Sequence, residues 1–205
     1  MIYLNPMMKN KLTYILSLFL ILAACSSNDS PQETEESSSE ETTQSSTSYS
    51  PENMRTAALQ GNLGVVQQSV EQGIDVDEAD QLGRTALMFA SYNGHTEVVQ
   101  FLIEQGADVQ KQNSEGRTSL MFASSGPFPE SVELLLENEA DANAKDSIEG
   151  WTPLMYAAAE GNVEVIEVLL DYDVDVTIQD TDGETATDFA RNNGHSEVVA
   201  LLEAM

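Results

Sequence analysis

The sequence predicts an all-α solenoid, and three observations predict it. A stretch from residue 80 repeats at 33-residue spacing, the second half of each copy carries an apolar stripe at helical spacing, and the copies at the two ends are incomplete. Gly83, Thr85, Leu87, Ala90 and Leu102 return as Gly116, Thr118, Leu120, Ala123 and Leu135. They return again as Gly150, Thr152, Leu154, Ala157 and Leu169, one residue late, because Ser147 to Glu149 holds three residues where the other copies hold two. The last copy carries Gly183, Thr185, Ala190 and Leu202. Self-similarity at this period marks an array whose units cannot bury their apolar faces alone.

Within one copy the elements follow in order. Gly83 stands where a tight turn needs positive φ. Thr85 is placed to cap a first helix and Gly94 to end it. Val98, Val99, Phe101 and Leu102 then give a second helix its apolar stripe, and Gly106 terminates that helix.

The recurring D-x-x-G-x-T-x-L-x-x-A, the Gly-His/Asn-x-Glu-Val-Val segment and the closing Gly-Ala-Asp-Val resemble the ankyrin repeat family over residues 52–205. The resemblance implies an ankyrin-repeat solenoid in which each repeat is a β-turn finger followed by two antiparallel helices. It also implies a domain over 51–205 of about four to five repeats, near 53–79, 80–112, 113–145, 146–179 and 180–205. The first copy lacks its finger and reads as an N-terminal cap starting at Glu52 or Asn53. The last keeps finger and helices and closes the other end, since a stack with two solvent-facing ends needs atypical terminal units.

Ahead of the repeats, Lys9 and Lys11 precede the apolar run Leu12 to Ala24. The run is shorter than the roughly 20 residues that span a bilayer, and its charged start and small-residue end read as a signal peptide over 1–24. The start of translation stays open among Met1, Met7 and Met8. Leu22-Ala23-Ala24-Cys25 resembles the lipobox of bacterial lipoproteins, which implies acylation of Cys25, the chain's one cysteine. Ordinary secretion is the alternative. Residues 26–50 hold Asp29, five glutamates, many Ser and Thr and no base, so they read as a disordered acidic tether; a sorting signal toward the cell surface is the other reading. The expected location is the bacterial cell envelope, lipid-anchored on the periplasmic side of the outer membrane or on the cell surface.

Charge narrows the partners. Thirty-five acids face eight bases; with Lys9 and Lys11 removed and the six acids of the tether set aside, the repeats carry −23. Nucleic acid and anionic lipid surfaces, which clustered Lys and Arg bind, are disfavoured. A basic or neutral protein partner and a monomeric chain are expected. No cofactor, no metal site and no enzymatic activity are expected, because no paired carboxylates, activated nucleophile or phosphate loop stand outside the repeat frame. Asp171, Asp173 and Asp175 lack the glycine and glutamate of a calcium loop, and Asp175 aligns with Asp75, Asp108 and Asp141. Loose calcium screening of the acidic surface stays open. His95 and His195, at equivalent places three repeats apart, are read as helix-start residues.

Candidate binding residues come from the same frame. Met88, Met121 and Met155 stand where the family pattern has histidine, Asp188 where the last repeat has it, and the methionines read as apolar filler or an oxidant-sensitive ladder. Phe89, Phe122, Tyr156 and Phe189 read as core aromatics. Phe128, between Pro127 and Pro129, reads as an outward-held anchor or a variable loop residue. In the resembled family the residue before the finger threonine points into the concave groove; here the four are Arg84, Arg117, Trp151 and Glu184, with Tyr92, Asn93, Asn192 and Asn193 beside them. The expectation is a partner gripped there, with Trp151 open as the anchor; packing of these side chains on the fingers is the alternative. The functional expectation is a membrane-anchored binding module or scaffold, the alternative an inhibitor or immunity-type regulator of a secreted or periplasmic enzyme.

Overall fold

A computed structural model describes residues 49–205; the expected signal peptide over 1–24, Cys25 and nearly all of the expected tether lie outside the described residues. Among the described residues ten helices form five pairs and no strand is present. The pairs are α1 (Pro51–Leu59) with α2 (Leu63–Glu71), α3 (Ala86–Tyr92) with α4 (Thr96–Glu104), α5 (Ser119–Ser124) with α6 (Pro129–Glu137), α7 (Pro153–Glu160) with α8 (Val163–Leu170), and α9 (Ala186–Asn193) with α10 (Ser196–Glu203). None of these helices is long and apolar enough to cross a membrane.

Each pair starts from a finger closed by one side-chain oxygen. Asp80 Oδ1 accepts from the backbone N–H of Leu82 and Arg84, both at 2.9 Å, and Asn113 does the same for Glu115 and Arg117. Asp180 repeats it for Asp182 and Glu184. In the longer finger Asp146 accepts from three N–H groups, those of Ile148, Glu149 and Gly150, so the extra residue is absorbed on the same carboxylate. The side chain mimics a backbone turn, which is why Asp or Asn recurs at this place. Gly83, Gly116, Gly150 and Gly183 follow with φ between 74° and 81°, a region a Cβ disfavours.

The finger threonines then cap the first helix of each pair. Thr85, Thr118 and Thr152 accept from the backbone N–H of Met88, Met121 and Met155 at 3.3, 3.4 and 3.3 Å. The methionines are buried at 1% exposure each, so they fill the core out of reach of dissolved oxidants. At Asp188 the same place becomes polar. Its Oδ2 accepts from the Thr185 N–H at 3.0 Å and its own N–H donates to Thr185 Oγ1 at 3.3 Å, a reciprocal capping box that closes the last unit. At the other end the cap is Ser50 with Pro51 in the first turn, two residues ahead of the start expected at Glu52 or Asn53.

Neighbouring units are tied by the same bonds at each step. Ser114 N–H donates to Leu82 O, Ser147 N–H to Glu115 O and Thr181 N–H to Glu149 O, at 2.8 to 2.9 Å, so the fingers form a continuous ladder. On the loops after the second helices, Asp75, Asp108, Asp141 and Asp175 accept from the N–H two residues on, each at 2.9 Å. Asp77, Gln110 and Asn143 reach to the N–H of Asp108, Asp141 and Asp175 in the next unit. The Asp-x-Asp-x-Asp run at 171–175 thus belongs to the stacking frame. The apolar core runs through all five pairs, from Met54 and Val66 through Leu87, Leu120 and Leu154 to Phe189 and Leu202. First helices pack on first helices and second helices on second helices along the stack, the first helices more closely at every joint except that between the third and fourth units; fingers and first helices therefore share one side, here called the inner side.

The Asp188 box carries a pH dependence. The Thr185 backbone N–H and hydroxyl, opposed by partial burial and aided by Arg191, hold its carboxyl below the usual range. A carboxylate whose folded pKa is depressed stabilises the fold fully above its unfolded value, near pH 4, and that stabilisation disappears as pH falls through the folded value. Asp188→Asn keeps an acceptor but removes the titration. Thermal melts followed by circular dichroism should show a shallower loss of melting temperature below about pH 4 for the variant than for the parent.

Candidate functional site on the inner face

The inner face is built from fingers and first helices, and it differs in charge from the outer one. Every charged residue on α2, α4, α6, α8 and α10 is a glutamate. Arg55 and Arg191 stand on α1 and α9, and Arg84 and Arg117 on fingers, so the arginines of the described residues all lie on the inner side. Lys111 and Lys145 instead bridge the connecting loops, donating to Asp77 O at 3.0 Å and Gln179 O at 2.7 Å.

The column before the finger threonines is packed more than it is open. Arg84 donates to Asp80 Oδ2 from Nε at 2.8 Å and from Nη2 at 2.7 Å, and its guanidinium lies 4.8 Å from the Phe89 ring centre. Arg117 pairs with Glu115 at 3.1 Å and lies 5.7 Å from the centre of the Tyr156 ring. Glu184 accepts from Asn192 Nδ2 at 3.0 Å. These contacts tie the arginine stems and the Glu184 carboxylate to their own or neighbouring fingers and helices.

Trp151 corrects the expectation of an open indole. It is 9% exposed and sits edge-on between Tyr156, at 5.2 Å, and Phe189 of the next unit, at 4.5 Å. The finger is shallow and the neighbouring aromatic large, so the indole packs between two units instead of standing in the groove. Its Nε1 is buried without an acceptor among the described residues. Tyr156 in turn donates its hydroxyl to Asp146 Oδ2 at 2.7 Å, and burial raises its pKa well above the ordinary phenol value, with Arg117 opposing and Asp146 adding.

Phe128 is the second correction. Its ring is not held outward; it lies across Gly94, where an added Cβ would come within 2.1 Å of it, and across Gly126. It occupies the place of His95 and His195, whose rings lie across Gly61 and Gly161 in the same way. Both histidines stand at the helix start expected of them, as N-cap residues of α4 and α10, but their rings make no cap bond and serve stacking instead. Nε2 of His95 meets Leu59 O and Nε2 of His195 meets Ala159 O, both at 3.0 Å, across to the preceding unit. Asn162 makes the corresponding bond to Ser124 O at 3.3 Å.

Of the remaining candidates, Tyr92 is half-buried, edge-on to Phe122 at 6.2 Å. Asn93 and Asn192 are exposed on the inner face, and Asn93 donates to Leu59 O at 2.7 Å. Sequence reasoning passed over two open apolar side chains on fingers, Leu82 at 51% and Ile148 at 46% exposure. It also passed over a cleft of about 580 Å³ where α1 faces the first finger, lined among others by Arg55, Leu59, Leu82 and Phe89. The signal for both was present: the first unit lacks the finger motif, and Leu82 stands two residues after Asp80 where polar residues suffice for the turn.

A family model described as ankyrin repeats in three copies matches residues 54–146 and 128–204. Among curated proteins no sequence matches the chain.

Trp151→Ala removes an indole that is nine-tenths buried between two units. Its loss should destabilise the array by about 3–5 kcal/mol, read as a drop in urea midpoint at unchanged slope. A midpoint within error of the parent would restore the open-anchor reading.

Proposed function

The chain belongs to the ankyrin-repeat family, whose members are generally non-enzymatic protein–protein interaction modules, and from that premise we propose that it binds a basic or neutral protein through its inner face while lipid on Cys25 holds it in a bacterial cell envelope. The observation that carries the binding face is the separation of charge. The charged residues of the outer helices are all glutamates, a surface suited to repelling acids and staying soluble. The inner face mixes arginine, carboxylate, exposed amides and the open Leu82, which is the composition that specific contacts draw on. The net −23 of the repeats supports a basic partner, which the field draws in from a distance.

The anchoring part of the proposal rests on the lipobox-like Leu22 to Cys25 behind a short apolar run. Two or more acyl chains hold a protein stably where one does not, so the domain works tethered. The periplasmic side of the outer membrane and the cell surface both fit. A monomer fits a surface of such one-sided charge, since like copies repel.

Two experiments test the two halves. Photo-crosslinkers placed at Asn93 and Asn192 on the inner face should capture a discrete partner in living cells, and the same groups at Gln100 and Glu167 on the outer helices should not. Equal capture from both faces refutes inner-face binding. For the anchor, Cys25→Ser should leave uncleaved precursor and abolish metabolic labelling with a palmitate analogue; normal processing of the variant counts against acylation.

A further inference from the structure

We infer that the cleft between α1 and the first finger is a docking slot for an extended segment of a basic partner, which adds to the finger ladder at its open edge; this rests on the reading of the inner face as the binding face. Every later finger receives its neighbour through one backbone bond. The N–H of the residue after the closing Asp or Asn donates to a carbonyl of the finger before it, as Ser114, Ser147 and Thr181 do. Gln81 is the residue in that place in the first finger, and among the described residues the unit before it has no finger to offer a carbonyl. Among the described residues, the chain's approach to α1 does not fill the gap. It enters α1 directly at Ser50, and Tyr49 turns its hydroxyl to Gln68 on α2, the outer helix of that unit.

The gap has chemistry on its walls. Leu82 stands half-exposed beside Gln81, with Leu59 and Phe89 also lining the cleft, so an apolar side chain entering there removes surface that water now covers. The two arginines of the wall are engaged, Arg84 by Asp80 and Arg55 by Glu78 O at 3.1 Å. Glu52 remains exposed at the rim and has no ion pair among the described residues, in a domain of net −23. A segment that presents a carbonyl to Gln81, an apolar side chain to Leu82 and a Lys or Arg to Glu52 satisfies all three. Alternation of side chains along an extended strand supplies that pattern, and main-chain pairing at an open edge is an established mode of peptide recognition.

The probe is a fluorescein-labelled eight-residue peptide of alternating Lys and Leu, titrated into the full-length chain by anisotropy, with its Glu-for-Lys counterpart as comparison. Hydrogen–deuterium exchange locates it. The expected result is that the Lys peptide binds, slows exchange around residues 79–84, and loses about tenfold in affinity with Gln81→Pro, which removes one backbone donor. Proline suits the second residue of a turn, so that variant should melt with the parent. If it does not, Leu82→Ser, expected to weaken binding by a similar factor, carries the comparison.

Several outcomes overturn the inference. These are protection elsewhere on the inner face, affinity indifferent to both substitutions, or equal binding of the Glu peptide. Tighter binding after deletion of residues 26–48 would show the chain's own tether to be the occupant, and self-association abolished by Gln81→Pro would show a second copy. Crosslinks from Asn93 and Asn192 that persist while the peptide fails sink the slot alone. Crosslinks lost from those positions sink the inner-face reading itself.

Discussion

No unit of this chain can cover its own apolar face, and the rest of the structure depends on that constraint. Met54, Leu87, Leu120 and Leu154 are fully or almost fully buried only because a neighbouring pair lies against them. Backbone polarity follows the same rule. Each finger after the first sends one N–H to the finger before it, and Asp77, Gln110 and Asn143 each send a side-chain oxygen forward to the next loop. Stability is therefore held in interfaces, and anything unusual about an interface or an end is informative. The C-terminal end converts a buried methionine site into the Thr185–Asp188 box, which solvates the last cap without an apolar partner beyond it. Among the described residues the N-terminal unit has no finger and leaves an edge.

What the sequence made legible was whatever a fixed period dictates. The closing Asp or Asn, the positive-φ glycine, the capping threonine and the terminating glycines could each be placed because local backbone geometry demands a residue type at that offset. Trp151 was misread because its direction is set by Tyr156 and by Phe189 of the following unit, neither of which a column of aligned positions weighs. Phe128 was misread because the prolines drew attention to stiffness, whereas alignment with His95 points to a ring laid over a glycine. The cleft went unseen for a related reason: a missing element leaves no residue to notice, and only the neighbours' geometry shows that a bond is owed there.

Charge is arranged with similar economy of means. An all-glutamate outer surface raises self-repulsion, which works against compactness, yet these groups are exposed and well screened beyond a Debye length of about 8 Å at physiological salt. The fingers and first helices are acidic as well, with ten carboxylates against four arginines. Two of those arginines are held locally with their side chains mostly covered, Arg84 by Asp80 and Arg117 by Glu115. Positive charge on this side is therefore fixed at defined places, while the domain as a whole attracts cations at long range.

The interfaces between units are also unequal in kind. The first and second units, and the fourth and fifth, are joined on the inner side by a histidine and an asparagine that both donate to one carbonyl, Leu59 O in one case and Ala159 O in the other. Between the second and third units Phe128 replaces the histidine, and the tie there is ring against backbone, with Tyr92 edge-on to Phe122 and a hydroxyl pair, Thr96 with Ser131 at 2.8 Å, on the second helices. A hydrogen bond fixes direction as well as distance, whereas apolar contact tolerates sliding so long as area stays buried. The joint between the second and third units thus relies more on apolar contact than the joints at the two ends, although the finger bond and the Thr96–Ser131 pair still fix its register.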